Sequence, residues 1–271
     1  MPTELHIALQ QHYAGDDGQV EVPFERYKLD VVTNGVAYEI QTGNFFKLKA
    51  KLERLAEAMP TVLVYPLPQT KIIVRVDAES GEELSQRRSP KQGVLSDIFP
   101  ELRHVAAVLG REGVSLEIVL TVERELRDSE AKTGRYHRRA ALLGRELVEV
   151  VEQIRFDKPE DYVRLLPPNL PKQFTVADLA QSAGINRWLG GHMASALYQL
   201  GATQRVGKQG NAYVYEPVGP VDPEDSNEQQ DAGWLQVRCA ECGTVGLQAR
   251  PGSLVRWRCG KCRSLQVQAV D

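Results

Sequence analysis

The dipeptide Asn34-Gly35 lies between two short runs rich in apolar and β-branched residues, Tyr27–Val32 and Val36–Gln41. Asn-Gly in this setting strongly favours a two-residue hairpin turn, because the turn needs positive φ angles that asparagine and glycine tolerate. A two-residue turn also fixes the register of the strands, since every further pair follows from the first. The sequence therefore predicts an antiparallel hairpin and the partner of each residue in it.

In this register Asp30 lies opposite Glu39 and Lys28 lies opposite Gln41, with all four side chains on one face. The other face is predicted to point into the core and carries Leu29, Val31, Tyr38 and Ile40. Directly opposed side chains have Cβ atoms about 5 Å apart, so two carboxylates placed there repel each other. A divalent cation would relieve that repulsion, and hard oxygen ligands suit Mg²⁺ or Mn²⁺.

A helix and a strand are predicted to follow the hairpin. The segment Phe45–Met59 has a helical apolar stripe, with Asn44 as its expected N-cap. Two β-branched segments, Thr61–Tyr65 and Lys71–Val76, are predicted strands. Strand, helix and strand in this order usually form a right-handed crossover on one sheet. Together with a short helix over residues 4–14, these elements predict an α/β core.

This arrangement resembles the PD-(D/E)XK, or restriction-endonuclease-like, nuclease superfamily. Asp30 is followed after eight residues by Glu39-Ile40-Gln41, and the predicted helix and strand come next. The resemblance covers roughly residues 1–77 and implies an α/β (α+β) restriction-endonuclease-like core with a mixed sheet. It also implies that Asp30 and Glu39 bind a divalent ion that activates water to attack a phosphodiester, and that Gln41 helps to orient this water.

Two residues depart from the pattern of that superfamily. Leu29 replaces the proline that precedes the aspartate, and Gln41 occupies the position where lysine is usual. Two nearby lysines, Lys28 and Lys47, are candidates to replace the catalytic lysine. Glu4 and Glu21 are candidates for a further metal ligand. The alternatives are an inactive nuclease fold kept for binding and a surface hairpin with its polar residues turned outward.

The nuclease-like domain is predicted to span residues 1–168, with 78–168 as an extension of the core. Within the extension, Pro100–Arg111 is predicted to be helical and Ser115–Arg127 to be a long strand. The segment Ala140–Phe156 is predicted to form an amphipathic helix, because apolar residues recur there at helical spacing, namely Leu143, Leu147, Val151 and Ile154.

Residues 172–218 are predicted to form a small winged helix-turn-helix domain. Thr175 and Asp178 form the capping pattern of a first helix, and Asn186–Leu200 follows as a second helix. A hairpin comes next, and the whole resembles a fold whose second helix enters the DNA major groove. The candidate DNA contacts are Arg187, His192, Arg205 and Lys208. Docking of a protein partner is the alternative.

Two Cys-x-x-Cys pairs, separated by 16 residues, predict a structural zinc site with the ligands Cys239, Cys242, Cys259 and Cys262. A redox pair or two disulfides are the alternatives. Residues 234–271 resemble a zinc ribbon, preceded by an acidic linker, 219–233, that is predicted to be flexible. The ribbon has six basic and two acidic residues, and Arg256 and Arg258 flank Trp257 as candidate nucleic-acid contacts, with protein docking as the alternative.

Composition sets the remaining bounds. The 271-residue chain has a net charge of -3, so no global positive field indicates nucleic acid, although a local basic patch is compatible with it. Neither an apolar stretch long enough for a membrane helix nor a secretory signal is present, which predicts a cytoplasmic protein with reduced thiols.

The leading hypothesis is a metal-dependent deoxyribonuclease with C-terminal DNA- or partner-binding modules. A DNA-binding regulator with an inactive nuclease fold and a protein-assembly adaptor are the alternatives.

The full-length chain, isolated under reducing conditions, is expected to contain one zinc ion. Cys259→Ser should abolish zinc retention, because three thiolates no longer close the tetrahedral shell. Ser264→Ala, a neighbouring substitution that removes no ligand, should leave the metal content unchanged. Atomic emission spectrometry gives the stoichiometry. Zinc-free protein whose four cysteines are found in disulfides by mass spectrometry would contradict the prediction.

Overall fold

The structure is a computed structural model that describes residues 3–129, 141–167, 169–219, 234–239, 245–249 and 267–269. The chain divides into two compact units, one made of Met1–Gly43, Arg54–Gly93 and Ser115–Arg155, the other of Asn44–Glu53, Val94–Val114 and Phe156–Asp271. The acidic linker beyond Gly219 and several predicted site residues lie outside the described residues, namely Cys242, Arg256, Arg258, Cys259 and Cys262. For Cys239 the structure describes the backbone, at the end of a strand.

The first unit is built on a mixed sheet. In chain order the elements up to residue 156 that take part in it or flank it are α1 (Glu4–Ala14), β1 (Gln19–Phe24), β2 (Tyr27–Thr33), β3 (Val36–Ile40), α2 (Phe45–Ala58), β4 (Thr61–Val76), β5 (Glu83–Arg88), β6 (Val114–Asp128) and β7 (Leu142–Phe156). The described strands form a seven-stranded sheet in the order β1-β2-β3-β4-β6-β7, with β5 paired to β4. Strands β3 and β4 are parallel, as the predicted crossover requires, whereas the β1–β2, β2–β3 and β4–β5 pairs are antiparallel. The mixed α/β core is therefore confirmed.

Helix α1 packs an apolar face on the sheet. It begins after Thr3, whose hydroxyl accepts a hydrogen bond from the His6 amide at 3.3 Å. Leu5 and Leu9 are buried in a cluster with residues of β2, β3, β4 and β6, namely Val31, Ile40, Val62, Val64 and Val119. A second cluster joins Leu29 and Ala37 to the last turns of α2 through Leu55. Both clusters lie within the first unit and enclose the two strands of the predicted hairpin.

The hairpin turn at Asn34-Gly35 is confirmed, with φ angles of 50° and 74°. Strand β4 differs from the prediction, because it continues through Pro66 and Pro68 where the sequence indicated two separate strands. Strands β1 and β5 were not predicted. All residues of β5 are exposed, so only its pairing with β4, and not an apolar pattern, makes it a strand.

The predicted helix over Ala140–Phe156 is wrong, because this segment forms strand β7. Its apolar residues do recur at helical spacing, but the segment also contains Gly144, which disfavours a helix, and several β-branched residues, which favour a strand. Strand β6, which confirms the predicted strand Ser115–Arg127, supplies the pairing partner. Pairing with a distant segment thus decides the conformation against the local pattern.

The second unit contains short helices, a hairpin and a small sheet. Its further elements are α3 (Phe99–Leu102), α4 (Ala106–Leu109), α5 (Val176–Ser182), α6 (Arg187–Gln199), β8 (Thr203–Gln209), β9 (Ala212–Pro217), β10 (Trp234–Cys239), β11 (Val245–Ala249) and β12 (Val267–Ala269). The predicted helix Pro100–Arg111 is thus divided into α3 and α4. β10 pairs antiparallel with both β11 and β12. None of the described helices is long and apolar enough to span a membrane.

Both helices predicted for residues 172–218 are confirmed, together with the predicted Thr175 cap of the first one. The Thr175 hydroxyl accepts hydrogen bonds from the first turn of α5, while the Asp178 carboxylate accepts from the Thr175 amide and hydroxyl at 2.8 Å each. These hydrogen bonds lower the pKa of Asp178. Asn186 caps α6 through the Leu189 amide at 2.9 Å. At Gly190 an added Cβ would lie 2.8 Å from the Ala180 Cβ, so glycine lets α6 approach α5 closely.

Helix α2 begins differently from the prediction. Asn44, the expected N-cap, has φ of 60° and therefore lacks the extended backbone of an N-cap residue. The Phe45 amide instead donates to Oε2 of Glu101 at 2.9 Å. A carboxylate that is distant in sequence thus caps the first turn of α2, and the local sequence does not reveal it.

Candidate active site

The Asp30 carboxylate lies at the end of the β2–β3 ladder. The backbone pairs are Thr33–Val36, Val32–Ala37 and Val31–Tyr38, which confirms the predicted register. Two residues beyond Tyr38, the Ile40 amide donates to Oδ2 of Asp30 at 2.8 Å. The Asp30 side chain therefore accepts the hydrogen bond of the Ile40 amide. All residues of this hairpin are described, and its backbone pairing ends at Val31–Tyr38, before the expected pair Asp30–Glu39.

Two polar residues of α1 approach Asp30. Nε2 of His6 lies 3.3 Å from Oδ1 of Asp30, and Nε2 of Gln10 donates to the Asp30 carbonyl oxygen at 3.3 Å. The side chains of His6 and Asp30 are 18% and 17% exposed, so water reaches their contact only in part. The sequence analysis named neither His6 nor Gln10 as a candidate for this site. The spacing of His6, Gln10 and Tyr13, which places them on one face of α1, could have indicated them.

Glu39 is fully buried, with 0% of its surface exposed. The prediction that it points away from the core is therefore wrong as regards burial. The reason is that helices cover both faces of the sheet: alternation along β3 puts Glu39 on the same face as Ala37, which α2 covers through Leu55. The predicted alternation also fails at Leu29, which packs with Ala37, whereas Val31 packs in the cluster below α1. The change of side occurs across Asp30, where regular pairing with β3 ends.

The other residues predicted for this site differ in their surroundings. The Gln41 amide donates to the Val64 carbonyl oxygen at 2.9 Å, which fixes the residue beside β4, and its side chain is half-buried. Glu21 and Lys28 form an ion pair at 2.6 Å. Lys47 is exposed in the first turn of α2, in the part of that helix assigned to the second unit.

Helix α1 is held over the sheet by a polar network as well as by apolar packing. The Tyr13 hydroxyl donates to Oε1 of Glu117 on β6. Gln153 donates to the same carboxylate oxygen at 2.9 Å, and Arg155 donates to Oε2 at 3.1 Å. Burial and the neighbouring Glu117 carboxylate raise the pKa of Tyr13, so the hydroxyl stays protonated and remains a donor. This network helps to fix the helix that presents His6 to Asp30.

The predicted DNA contacts on α6 and β8 differ in how exposed they are. Arg187 is exposed at the first position of the helix. His192 is half-buried, with its ring edge-on to Trp188 at 4.3 Å between centroids. Burial lowers the pKa of His192, and two nearby basic residues, Arg103 and His104, lower it further. The lowered pKa favours the uncharged imidazole at neutral pH. Arg205 and Lys208 are both exposed on β8.

Asp30→Ala is expected to lower the free energy of unfolding by about 1–3 kcal/mol, because the Ile40 amide loses its acceptor. Asp30→Asn keeps an oxygen that can accept this hydrogen bond, so its cost should be clearly smaller. Urea titrations followed by circular dichroism measure both changes. Equal destabilisation by the two substitutions would show that the hydrogen bond to Ile40 does not hold the hairpin end.

Comparison with known proteins places the chain in a family. Residues 3–157 match the family model described as "Domain of unknown function (DUF8091)", which covers more than half of the chain. A protein of Treponema pallidum (strain Nichols), described as "Uncharacterized protein", is 29% identical over 224 residues, which covers 81% of this chain and 87% of that relative. No solved structure matches the chain. The chain belongs to the DUF8091 family.

Proposed function

We propose that this protein is a metal-dependent deoxyribonuclease of the PD-(D/E)XK type, with Asp30 and Glu39 at its cutting site. The observation that carries the proposal is the hydrogen bond between the Ile40 amide and Asp30, because it holds one carboxylate against the Glu39-Ile40-Gln41 segment. The parallel pairing of β3 with β4 also supports it, since the superfamily motif lies just ahead of a helix and a further strand.

The donor atoms near Asp30 suit a hard divalent ion. Carboxylate oxygens such as those of Asp30 and Glu39 are the ligands that Mg²⁺ and Mn²⁺ prefer. In the part of the chain that the structure describes, no group of three or more His, Cys, Asp or Glu side chains could hold a metal. Water would therefore complete the shell, as is usual for Mg²⁺. When bound, the ion supplies polarisation of the phosphate and a more acidic water.

The residues of the chain would then have separate roles. Asp30 and Glu39 hold the ion, and His6 orients the Asp30 carboxylate through its contact with Oδ1. The side-chain amide of Gln41 can both donate and accept, so it suits the orientation of the attacking water. It lacks the positive charge that a lysine would direct at the phosphate. We therefore expect slower cleavage than a lysine at this position would give.

The C-terminal part is proposed to bind DNA or a protein partner. Residues 172–218 contain two capped helices followed by a hairpin, which is the element order of a winged helix-turn-helix. Residues 234–271 are proposed to form a zinc ribbon, and the antiparallel strands β10, β11 and β12 support this. Its proposed zinc ligands remain Cys239, Cys242, Cys259 and Cys262.

A second candidate function is a DNA-binding regulator with an inactive nuclease fold. Gln41 at the usual lysine position favours it, and so does the ion pair that engages Lys28 with Glu21. Both observations reduce the positive charge available to a phosphate near Asp30. This candidate predicts salt-dependent DNA binding without cleavage in the presence of any divalent ion.

The nuclease proposal predicts that the purified full-length chain cleaves DNA with Mg²⁺ or Mn²⁺ and that EDTA abolishes cleavage. Asp30→Asn and Glu39→Gln should each lower the cleavage rate by about 100-fold or more, because metal-based charge stabilisation is worth several kcal/mol. Glu79→Gln is the matched control, since it removes an exposed carboxylate in the β4–β5 turn. A supercoiled plasmid and a labelled linear duplex distinguish nicking from degradation.

Circular dichroism of each variant establishes that the fold is retained, which matters most for the buried Glu39. Cleavage that persists in both variants would refute the assignment of the site. Binding of DNA without cleavage, in the wild type and with either ion, would favour the regulator instead.

A further inference from the structure

The β8–β9 hairpin contains a β-bulge that changes which side chains share a face. Arg205 pairs with Tyr215 and Lys208 pairs with Tyr213, and the register shifts between Arg205 and Gly207. The shift leaves Val206 as an extra residue on β8. Residues three apart would normally point to opposite faces of a strand, but one inserted residue brings Arg205 and Lys208 to the same face.

This face combines cations with aromatic rings. The Arg205 guanidinium carbon lies 4.3 Å from the centroid of Tyr198 on α6 and 4.1 Å from that of Tyr213 on β9. Nζ of Lys208 lies 5.0 Å from the Tyr213 centroid. Buried Tyr215 lies below, with Arg205 at 5.7 Å from its ring. We refer to Tyr198, Arg205, Lys208 and Tyr213 as the wing surface.

The wing surface is both ordered and open. Tyr198 on α6 and Tyr213 near the hairpin turn are 40% and 42% exposed, so both rings are accessible to a ligand. Their contacts with Arg205 hold the guanidinium in place, so little side-chain entropy remains to be lost on binding a ligand. Two cations in a chain of net charge -3 form a local positive patch, and such a patch favours a polyanion.

Helix α6 is less suited to reading duplex DNA. A helix in the major groove needs donors and cations that reach base edges and phosphates. Along α6 the basic residues are Arg187, at its first position, and His192, which is half-buried and whose pKa is lowered by burial. The remaining exposed side chains of its last turn include Tyr198, which already belongs to the wing surface. Cations and open rings thus lie together on the hairpin side.

We propose that the wing surface binds single-stranded nucleic acid by stacking bases on its tyrosine rings, with Arg205 and Lys208 contacting the phosphates. Bases in a duplex have their faces covered by neighbouring pairs, whereas unpaired bases can stack on aromatic rings. The inference rests on nucleic acid as the substrate class of the proposed nuclease, and it adds that unpaired strands or ends are the part bound here.

The test is fluorescence anisotropy of the full-length chain without added Mg²⁺ or Mn²⁺, so that binding is measured without cleavage and without a chelator that would remove the proposed zinc ion. One labelled oligonucleotide is used both as a single strand and annealed to its complement. We expect the single strand to bind about tenfold or more tightly than the duplex. Tyr213→Leu should weaken single-strand binding by about 5- to 100-fold, as the loss of one stacked base predicts. Tyr213→Phe keeps the ring and should retain the affinity.

Arg187→Gln, on α6, should change single-strand binding by less than Tyr213→Leu does. Equal or tighter binding of the duplex would overturn the proposal, as would unchanged single-strand affinity of Tyr213→Leu. A larger loss with Arg187→Gln would move the contact to α6, and no affinity for either form would indicate an acidic protein partner instead. Cleavage that depends on Asp30 while Tyr213→Leu binds normally would refute this inference and leave the nuclease proposal intact. Single-strand binding that depends on Tyr213, without any DNA cleavage, would support this inference and refute the nuclease proposal.

Discussion

The hydrogen bond between the Ile40 amide and the Asp30 carboxylate is the interaction on which the candidate site depends. In a regular antiparallel ladder this amide would find a backbone acceptor on β2. A carboxylate takes that place, and charged acceptors form stronger hydrogen bonds than neutral ones. The ladder therefore ends at Asp30, and an acidic side chain is fixed beside the segment that contains Glu39. The local stability of the hairpin end and the proposed chemistry both depend on this hydrogen bond to a carboxylate, which stands where a backbone carbonyl would normally accept.

Helix α1 gives this arrangement its second support. Leu5 and Leu9 are buried against the sheet, and Tyr13 joins the helix to Glu117 on β6. These contacts set the height and rotation of the helix, and rotation decides which residue faces Asp30. His6 is two helical turns from Tyr13 on the same face, so the anchoring of one end positions the other. A helix held only by apolar contacts would leave this rotation less well defined.

The sequence predicted best where a turn or a cap determines the backbone locally. Asn34-Gly35 determined the register of β2 and β3, and Thr175 with Asp178 marked the start of α5. It failed where a distant partner decides the conformation, as in β7, whose helical spacing was overridden by pairing with β6. The burial of Glu39 escaped prediction for the same reason, since a hairpin taken alone does not show that α2 covers the face on which Ala37 and Glu39 lie. The contact of His6 with Asp30 and the bulge at Val206 likewise depend on how separate elements pack or pair, and a local sequence pattern does not show this.

The central claim is that a divalent ion binds at Asp30, next to the Glu39-Ile40-Gln41 segment. Paramagnetic broadening of backbone amide resonances during a Mn²⁺ titration of the isotope-labelled full-length chain tests it most directly. We predict that the Ile40 and Gln41 amides are among the first resonances to broaden and that Asp30→Asn removes this selectivity. If these amides remain sharp while others broaden, or if the substitution changes nothing, then no ion is bound there and the nuclease account is contradicted.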